Sequence, residues 1–346
     1  MRLYRREPIF GVLENKLLSK LVLRALNVPH TSWRYAALLP PDGDRTKPPI
    51  HSEAPWYDRP ALLEAIRATS PTHRFVLKPL TDGGSQSVML MDSERWETRA
   101  ESLMQRKNST VEEYLVDQLE KKALNKKNSA WRQQYEHRGC VLEDRYDGDG
   151  AAASDPSASS TAASSYELKV FVVFGVPIGI RVYPRSSTGR NLDAEEETVD
   201  QLVRTGSDAV VGGRFRCVKA DTTAQSRCAT AAKWINEAGH VRRLDDWASR
   251  IATLYGADWF RLDLFAGDTR RGWKVNEVTY PSHITPPDAV WAHYVSRYAD
   301  RSSWANVVPA EQVLGKVSAT TGIPVSFMRT RATHGMQTHL SVDNPW

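Results

Sequence analysis

Long apolar runs are missing from this 346-residue chain, and with them the simplest membrane readings. No window has the unbroken apolar length of a bilayer span, and the opening MRLYRREPIFGVLENK has basic residues without the apolar core of a secretory signal. The expectation is a cytosolic protein with no membrane partner. Cysteine is scarce too. Cys140, Cys217 and Cys228 are odd in number and lack C-x-x-C spacing, which points to neither a disulfide framework nor a zinc site. Charge of one sign is not in strong excess: the net +5 is mild for this length and the lysines and arginines are scattered. A nucleic-acid footprint is therefore not expected, whereas an anionic small molecule is compatible. Neither G-x-x-x-x-G-K-[ST] nor G-x-G-x-x-G occurs at the glycine loop, no internal repeat is found, and no convincing nucleophilic Cys or Ser–His pair stands out.

What remains is an ordinary globular composition, 41% hydrophobic and 25% charged, enough for one large domain or two to three subdomains. The most informative stretch is GADWFRLDLFAGDTRRGWKVNEVTYPSH, Gly256 to His283. It reads as two strands joined by a turn over Gly267–Gly272. In the first, Trp259, Arg261 and Asp263 alternate with Phe260, Leu262 and Leu264, so the charged pair shares one face. A hairpin symmetric about Arg270 places Asp263 opposite Glu277 and Arg261 opposite Thr279. Opposed side chains lie roughly 4.5–5.5 Å apart at Cβ, and like charges there destabilise a sheet. Two such carboxylates call for a shared cation, and a hard ion such as Mg²⁺ completed by substrate phosphates suits them. The alternative is an acidic pair neutralised by Arg261 and Lys274.

Other stretches supply the setting. Leu13–Leu26 has Leu17, Leu18, Leu21, Val22 and Ala25 at helical spacing, with Asn27 and Pro29 as stops. Leu39–Pro60 reads as a surface loop, and Asp58 with Pro60 opens a short helix. In FVLKPLTDGGSQSVMLM, two short strands flank a glycine loop whose backbone N–H groups suit an anion nest, with Lys78 closing the first strand. Ser109–Lys127 is helical with a capping box. Gly139–Tyr146 is a strand, followed by an Ala, Ser, Asp and Gly tract expected to be disordered. Tyr166–Val182 reads as a hairpin centred on Val176, which puts Lys169 opposite Tyr183 with Arg181 on the same face. Pro184–Ala224 is expected to be loop-rich, with Arg185, Arg190, Asn191, Arg204, Arg214 and Arg216. Helices follow around Leu244–Leu254 and Val290–Tyr298, and a poorly ordered tail from Met328.

The order of these motifs resembles the ATP-grasp superfamily. FVLKPLTDGGS, VLEDRY, YELKVFVVFGVPIGIRV and WFRLDLFAGDTRRGWKVNEVTYP are similar to its branch named for teichuronopeptide synthesis, over about Glu14–Ser282. The resemblance implies an α+β fold in which a nucleotide is held between two subdomains built on antiparallel sheets. The implied organisation is 1–72 N-terminal, 73–150 small subdomain with glycine loop and adenine hinge, 151–165 insertion, 166–327 large subdomain with the metal and phosphate site, and 328–346 tail.

It also implies ATP and one or two Mg²⁺ ions as cofactors. Lys78 would contact the nucleotide's phosphates or adenine, and the loop Gly83, Gly84, Ser85, Gln86 and Ser87, with Lys169, would meet phosphates. Glu143 would bind the adenine amine, with Asp144, Arg145 and Tyr146 along the base and Asp149 (or Asp147) at the ribose. Asp263 and Glu277 would hold metal, and Arg261, with Lys169 and Arg181, would serve the chemistry. Thr279 departs from the asparagine that many such ligases carry two residues after the metal glutamate, and Asn276 here precedes Glu277. The implied activity joins a small-molecule carboxylate to an amine, amino acids among them, through an acyl phosphate. Arg185, Arg190, Arg214 and His283 are further candidates for an anionic acceptor. A kinase on the same scaffold and a non-catalytic ATP-binding protein are the alternatives.

Overall fold

The computed structural model describes residues 15–40, 46, 55–69, 74–80, 88–104, 110–121, 138–146, 166–184, 200–205, 213–218, 224–237, 239–257, 259–266, 272–279, 288–299 and 310–325. It is an α+β protein with a four-stranded and a six-stranded antiparallel sheet. The chain divides into two compact units, one from Met1–Ser19, Ser32–Arg145 and Val317–Trp346, the other from Lys20–Thr31 and Tyr146–Lys316.

Helix α1, Lys16–Ala25, starts where the Asn15 side chain accepts from the backbone N–H groups of Leu17 and Leu18, both at 3.0 Å. It stops at Asn27, whose φ of 55° lies in the left-handed region that closes helices. In the first unit, strands β1 (Trp33–Leu38), β2 (Phe75–Pro79), β3 (Met89–Met91) and β4 (Gly139–Asp144) pair in the order β1-β4-β2-β3. Helices α2 (Arg59–Thr69), α3 (Ser93–Met104) and α4 (Val111–Leu119) supply much of the apolar cover. Leu62 and Ile66 of α2 and Leu115 and Leu119 of α4 cluster with Phe75, Leu77, Cys140 and Leu142 of the sheet. The capping box appears at Thr110 and Glu113, each side chain accepting from the other's backbone N–H.

The second unit is built on β5 (Tyr166–Val173), β6 (Val176–Pro184), β7 (Asp200–Thr205), β8 (Arg214–Cys217), β9 (Trp259–Ala266) and β10 (Lys274–Thr279), ordered β10-β9-β5-β6-β7-β8. Leu168, Val170, Ile180, Leu262 and Leu264 form its fully buried apolar face. Helices α5 (Ala224–Asn236) and α6 (His240–Tyr255) pack at its β6–β8 side. Helix α6 ends at Gly256, whose φ of 63° favours glycine and whose N–H donates to the Ala252 carbonyl at 2.8 Å. Helix α7 (Asp288–Ala299) lies against β5 and β6, and α8 (Ala310–Thr321) completes the described chain. No described helix is long and apolar enough to cross a membrane.

Three sequence expectations change. The β5–β6 turn is Phe174–Gly175, with φ of 46° and 80°, not a turn centred on Val176. Two left-handed residues match the twist of paired strands, and Phe-Gly lacks the usual Asn-Gly signature of such a turn. Lys169 therefore opposes Arg181, and Tyr183 opposes Glu167. The stretch expected to be loop-rich contains β7 and β8, in which Arg204 forks onto Asp245 of α6, its Nη2 at 2.9 Å. Cys217 and Cys228 form a disulfide, with Cα atoms 6.0 Å apart; strand β8 and helix α5 bring together two cysteines that no sequence spacing flags. Strand β1 and helices α3, α5 and α8 were not anticipated either. The Ala/Ser tract, the turn Gly267–Arg271 and the C-terminal tail lie outside the described residues.

Burial, helped by Arg243, holds the His240 imidazole below 6.5, where it lies tilted against the Trp234 and Trp273 rings at 5.0 and 4.7 Å between centres. The unfolded chain takes up that proton first as pH falls, so stability declines on going down through pH 6.5 and towards the lower folded-state value. Urea midpoints measured from pH 7 to 5 should fall, and His240→Phe should flatten that slope.

Candidate functional site

Antiparallel pairing aligns side chains across the second unit's sheet. Glu277 on β10 opposes Asp263 on β9, Asp263 opposes Lys169 on β5, and Lys169 opposes Arg181 on β6. Directly paired residues share a face, so two acids and then two cations form one row over four strands. The register expected for the hairpin is thus present at its open end, including Thr279 opposite Arg261. Nearer the turn, a β-bulge between Val275 and Glu277 shifts Lys274 to oppose Phe265.

Asp263 is 4% exposed and Arg261 7% exposed, so each needs its partner. The Arg261 fork supplies it, Nε to Oδ1 at 2.5 Å and Nη2 to Oδ2 at 2.7 Å, while Nη2 also reaches Thr279 Oγ1 at 3.5 Å. Burial opposes charge on Arg261. Asp263 first, then Glu277 and Glu167, outweigh it and raise its pKa above the usual arginine value. The face therefore carries Glu167, Asp263 and Glu277 together with Lys169, Arg181 and Arg261, and with Lys274 where β10 nears the turn.

Glu167 escaped the sequence reading, which had placed Tyr183 on this face but directly opposite Lys169. Glu167 lies 4.0 Å from the Lys169 ammonium, which also sits 4.8 Å from the centre of the Tyr183 ring. The available signal was the spacing of Glu167 and Lys169, two apart and hence on one strand face. Beyond Arg261, the same face turns aromatic: Phe171 stacks on Trp259 at 6.3 Å, and Trp259 on Trp291 of α7 at 5.9 Å. This wall keeps water from one side of the charged row and strengthens its electrostatics.

The donor chemistry fits a hard divalent cation. A carboxylate pair offers about four lone-pair sites per acid, and Arg261 takes two of those on Asp263. Oxygens remain for an ion that ordinarily takes one or two protein carboxylates and keeps water and phosphate oxygens for the rest. Among the described residues no group of three or more His, Cys, Asp or Glu side chains forms a self-sufficient metal cage.

In the first unit, Lys78 and Glu143 are diagonal neighbours on β2 and β4, and they form a buried ion pair at 2.8 Å. Asp144 accepts from Arg34 and Ser32, and its own N–H donates to the Ser32 carbonyl. Arg145 binds Asp92 at 2.9 Å and donates its N–H to the Arg74 carbonyl. Tyr146, in the second unit, stacks on Phe265 at 5.4 Å and donates to the Gly272 carbonyl at 2.8 Å. Arg214 is an exposed residue of β8. Gly83, Gly84, Ser85, Gln86, Ser87, Asp147, Asp149, Arg185, Arg190 and His283 lie outside the described residues.

No family model matches the chain, and no curated protein matches it. Solved structures similar to it include the ATP-grasp ligase PsnB complexed with a phosphomimetic variant of its minimal precursor, Mg and ADP, at 10% identity and TM-score 0.34, covering 91% of this chain and 60% of that one. The D-cycloserine synthetase DcsG is 14% identical at TM-score 0.39, over 88% and 72% of the two chains. D-alanine–D-alanine ligase from Bacillus anthracis complexed with ATP is 12% identical at TM-score 0.34, over 90% and 66%. The chain thus spans about 60–72% of the length of these proteins.

Removing one partner of a buried ion pair leaves an uncompensated charge. Asp263→Ala should lower the free energy of unfolding by about 3–5 kcal/mol. Asp263→Asn, which keeps an acceptor for the Arg261 fork, should cost less in the same denaturant titration.

Proposed function

We propose that this protein is an ATP-dependent carboxylate–amine ligase of the ATP-grasp kind. The reading is carried by the row Glu277, Asp263, Lys169 and Arg181, which sets two opposed acids beside two cations on one face. The order of the sequence motifs supports it. Asp263 and Glu277 are the residues that would hold magnesium, which when bound neutralises charge on phosphate oxygens during phosphoryl transfer.

Lys169 and Arg181 bind the anionic phosphates. Glu167 and the Tyr183 ring hold the Lys169 ammonium in place for that task. An oxygen of the substrate carboxylate attacks the γ-phosphorus, the bond from phosphorus to the ADP oxygen breaks, and ADP leaves with that electron pair. The amine nitrogen then attacks the acyl carbon. The carbon–oxygen bond to phosphate breaks, phosphate departs with its electron pair, and the proton from nitrogen passes to solvent.

Arg261 donates hydrogen bonds to the tetrahedral oxyanion. Its guanidinium is already held in position by Asp263, so little reorganisation is needed at the reacting step. Lys78, the loop Gly83–Ser87, Glu143 and Asp149 serve the nucleotide. Because the Asp144 and Arg145 N–H groups are committed to backbone carbonyls, the Glu143 side chain carries the adenine contact in this reading. Small carboxylates and amines, amino acids among them, are the substrate class.

Incubation with ATP, Mg²⁺ and a panel of carboxylates and amines should release ADP and phosphate only when both substrate types are present. Transfer onto a hydroxyl without free phosphate would make the protein a kinase instead, and nucleotide binding without any turnover would make it a binder. Asp263→Asn and Glu277→Gln should abolish turnover with an unchanged circular dichroism spectrum, and Arg261→Lys should lose about 10²–10³ in rate.

A further inference from the structure

The bulge in β10 has a buried support that the ligase reading does not use. Lys20, on α1, is fully buried, at 0% exposure. An ammonium taken out of water needs oxygen acceptors on its three donors. Its Nζ donates to the Thr31 hydroxyl and lies 3.5 Å from the Asn276 carbonyl oxygen, and Thr31 is itself 2% exposed. Asn276 is the residue at which the β9–β10 register shifts.

The backbone leading to Thr31 grips the same place. Val275 donates its N–H to the Pro29 carbonyl at 2.8 Å, Thr31 donates to the Val275 carbonyl at 3.1 Å, and His30 forms a parallel bridge with Val275. The segment Pro29–Thr31 therefore covers the outer edge of β10 at the bulge, with Lys20 holding the carbonyl one residue further on.

Position matters here because side chains alternate along a strand. A bulge re-aims the residues beyond it, and a shift of one residue transfers every later side chain to the opposite face. Lys274 and Val275 pair with β9 in one register, while Glu277 and Thr279 pair one residue later. Only the second register puts Glu277 across from Asp263.

We infer that Lys20, together with Thr31, is a positioning residue for the acidic pair: it fixes the β10 bulge through the Asn276 carbonyl and so keeps Glu277 on the Asp263 face. This rests on reading those two acids as magnesium ligands. Lys20 acts through the backbone of Asn276, one residue before Glu277. Supports one shell away from metal ligands typically change metal affinity about 10–100-fold when lost.

The test titrates Mn²⁺ into the full chain in the presence of a non-hydrolysable ATP analogue, reading free Mn²⁺ by electron paramagnetic resonance. Lys20→Met keeps side-chain length without the charge, and Thr31→Val keeps shape without the hydroxyl. Both should weaken Mn²⁺ binding about 10-fold or more, with metal-free analogue binding unchanged and melting still cooperative. Thr31→Ser, which retains the hydroxyl, should restore wild-type Mn²⁺ affinity. If Lys20→Met fails to fold, the Thr31→Val and Thr31→Ser pair decides. Folded Lys20→Met or Thr31→Val protein with wild-type Mn²⁺ affinity would overturn the positioning role while leaving the acidic pair as ligands. Wild-type protein showing no metal-dependent analogue binding would instead overturn the metal reading of Asp263 and Glu277, and the role of Lys20 with it.

Discussion

Two carboxylates placed face to face on adjacent strands repel each other, and burial makes the repulsion stronger. The second unit of this protein is arranged around that constraint. Asp263 and Glu277 occupy opposed positions on β9 and β10, and the Arg261 fork binds Asp263 from two residues away on the same strand. Lys169 opposes Asp263 from the other side. The sheet thereby tolerates acids that an apolar replacement of similar shape would make unnecessary for stability alone. Retaining them is intelligible if their charge is used.

The two units handle charge by the same device. In the first, Lys78 and Glu143 form a buried pair on the face opposite the apolar cluster of Phe75, Leu77 and Leu142. In each sheet strand alternation sets the paired ions described above on one face and an apolar cluster on the other. The charged face of the second unit is bounded by Phe171, Trp259 and Trp291. An aromatic boundary beside a row of ions flanks the charges with low-dielectric surface on that side.

Much of the second unit was legible from residue order. The alternation of Trp259, Arg261 and Asp263 with Phe260, Leu262 and Leu264 specifies a strand with two unlike faces, and the hairpin length placed Asp263 against Glu277. The capping box at Thr110, in the first unit, was a local signal of the same kind. The β5–β6 register was not legible, because Phe174–Gly175 adopts a turn that its side chains do not announce. Strands β7 and β8 read as loop because they lie in a stretch with several glycines, and β8 is only four residues long. The Cys217–Cys228 disulfide depends on a strand meeting a helix.

Sequence alone determined what is written in periodicity: which residues share a strand face, where helices begin, and that acids and bases fall on one side of a hairpin. These follow from the geometry of two and 3.6 residues per repeat and need no partner. The tertiary structure decided which charges meet. Lys169 facing Arg181 and Lys20 reaching Asn276 across 256 positions depend on strand order, a bulge and a two-residue turn. Contacts between distant residues are set by packing and burial, which penalise any buried charge left without a partner, and no local pattern along the chain encodes that outcome.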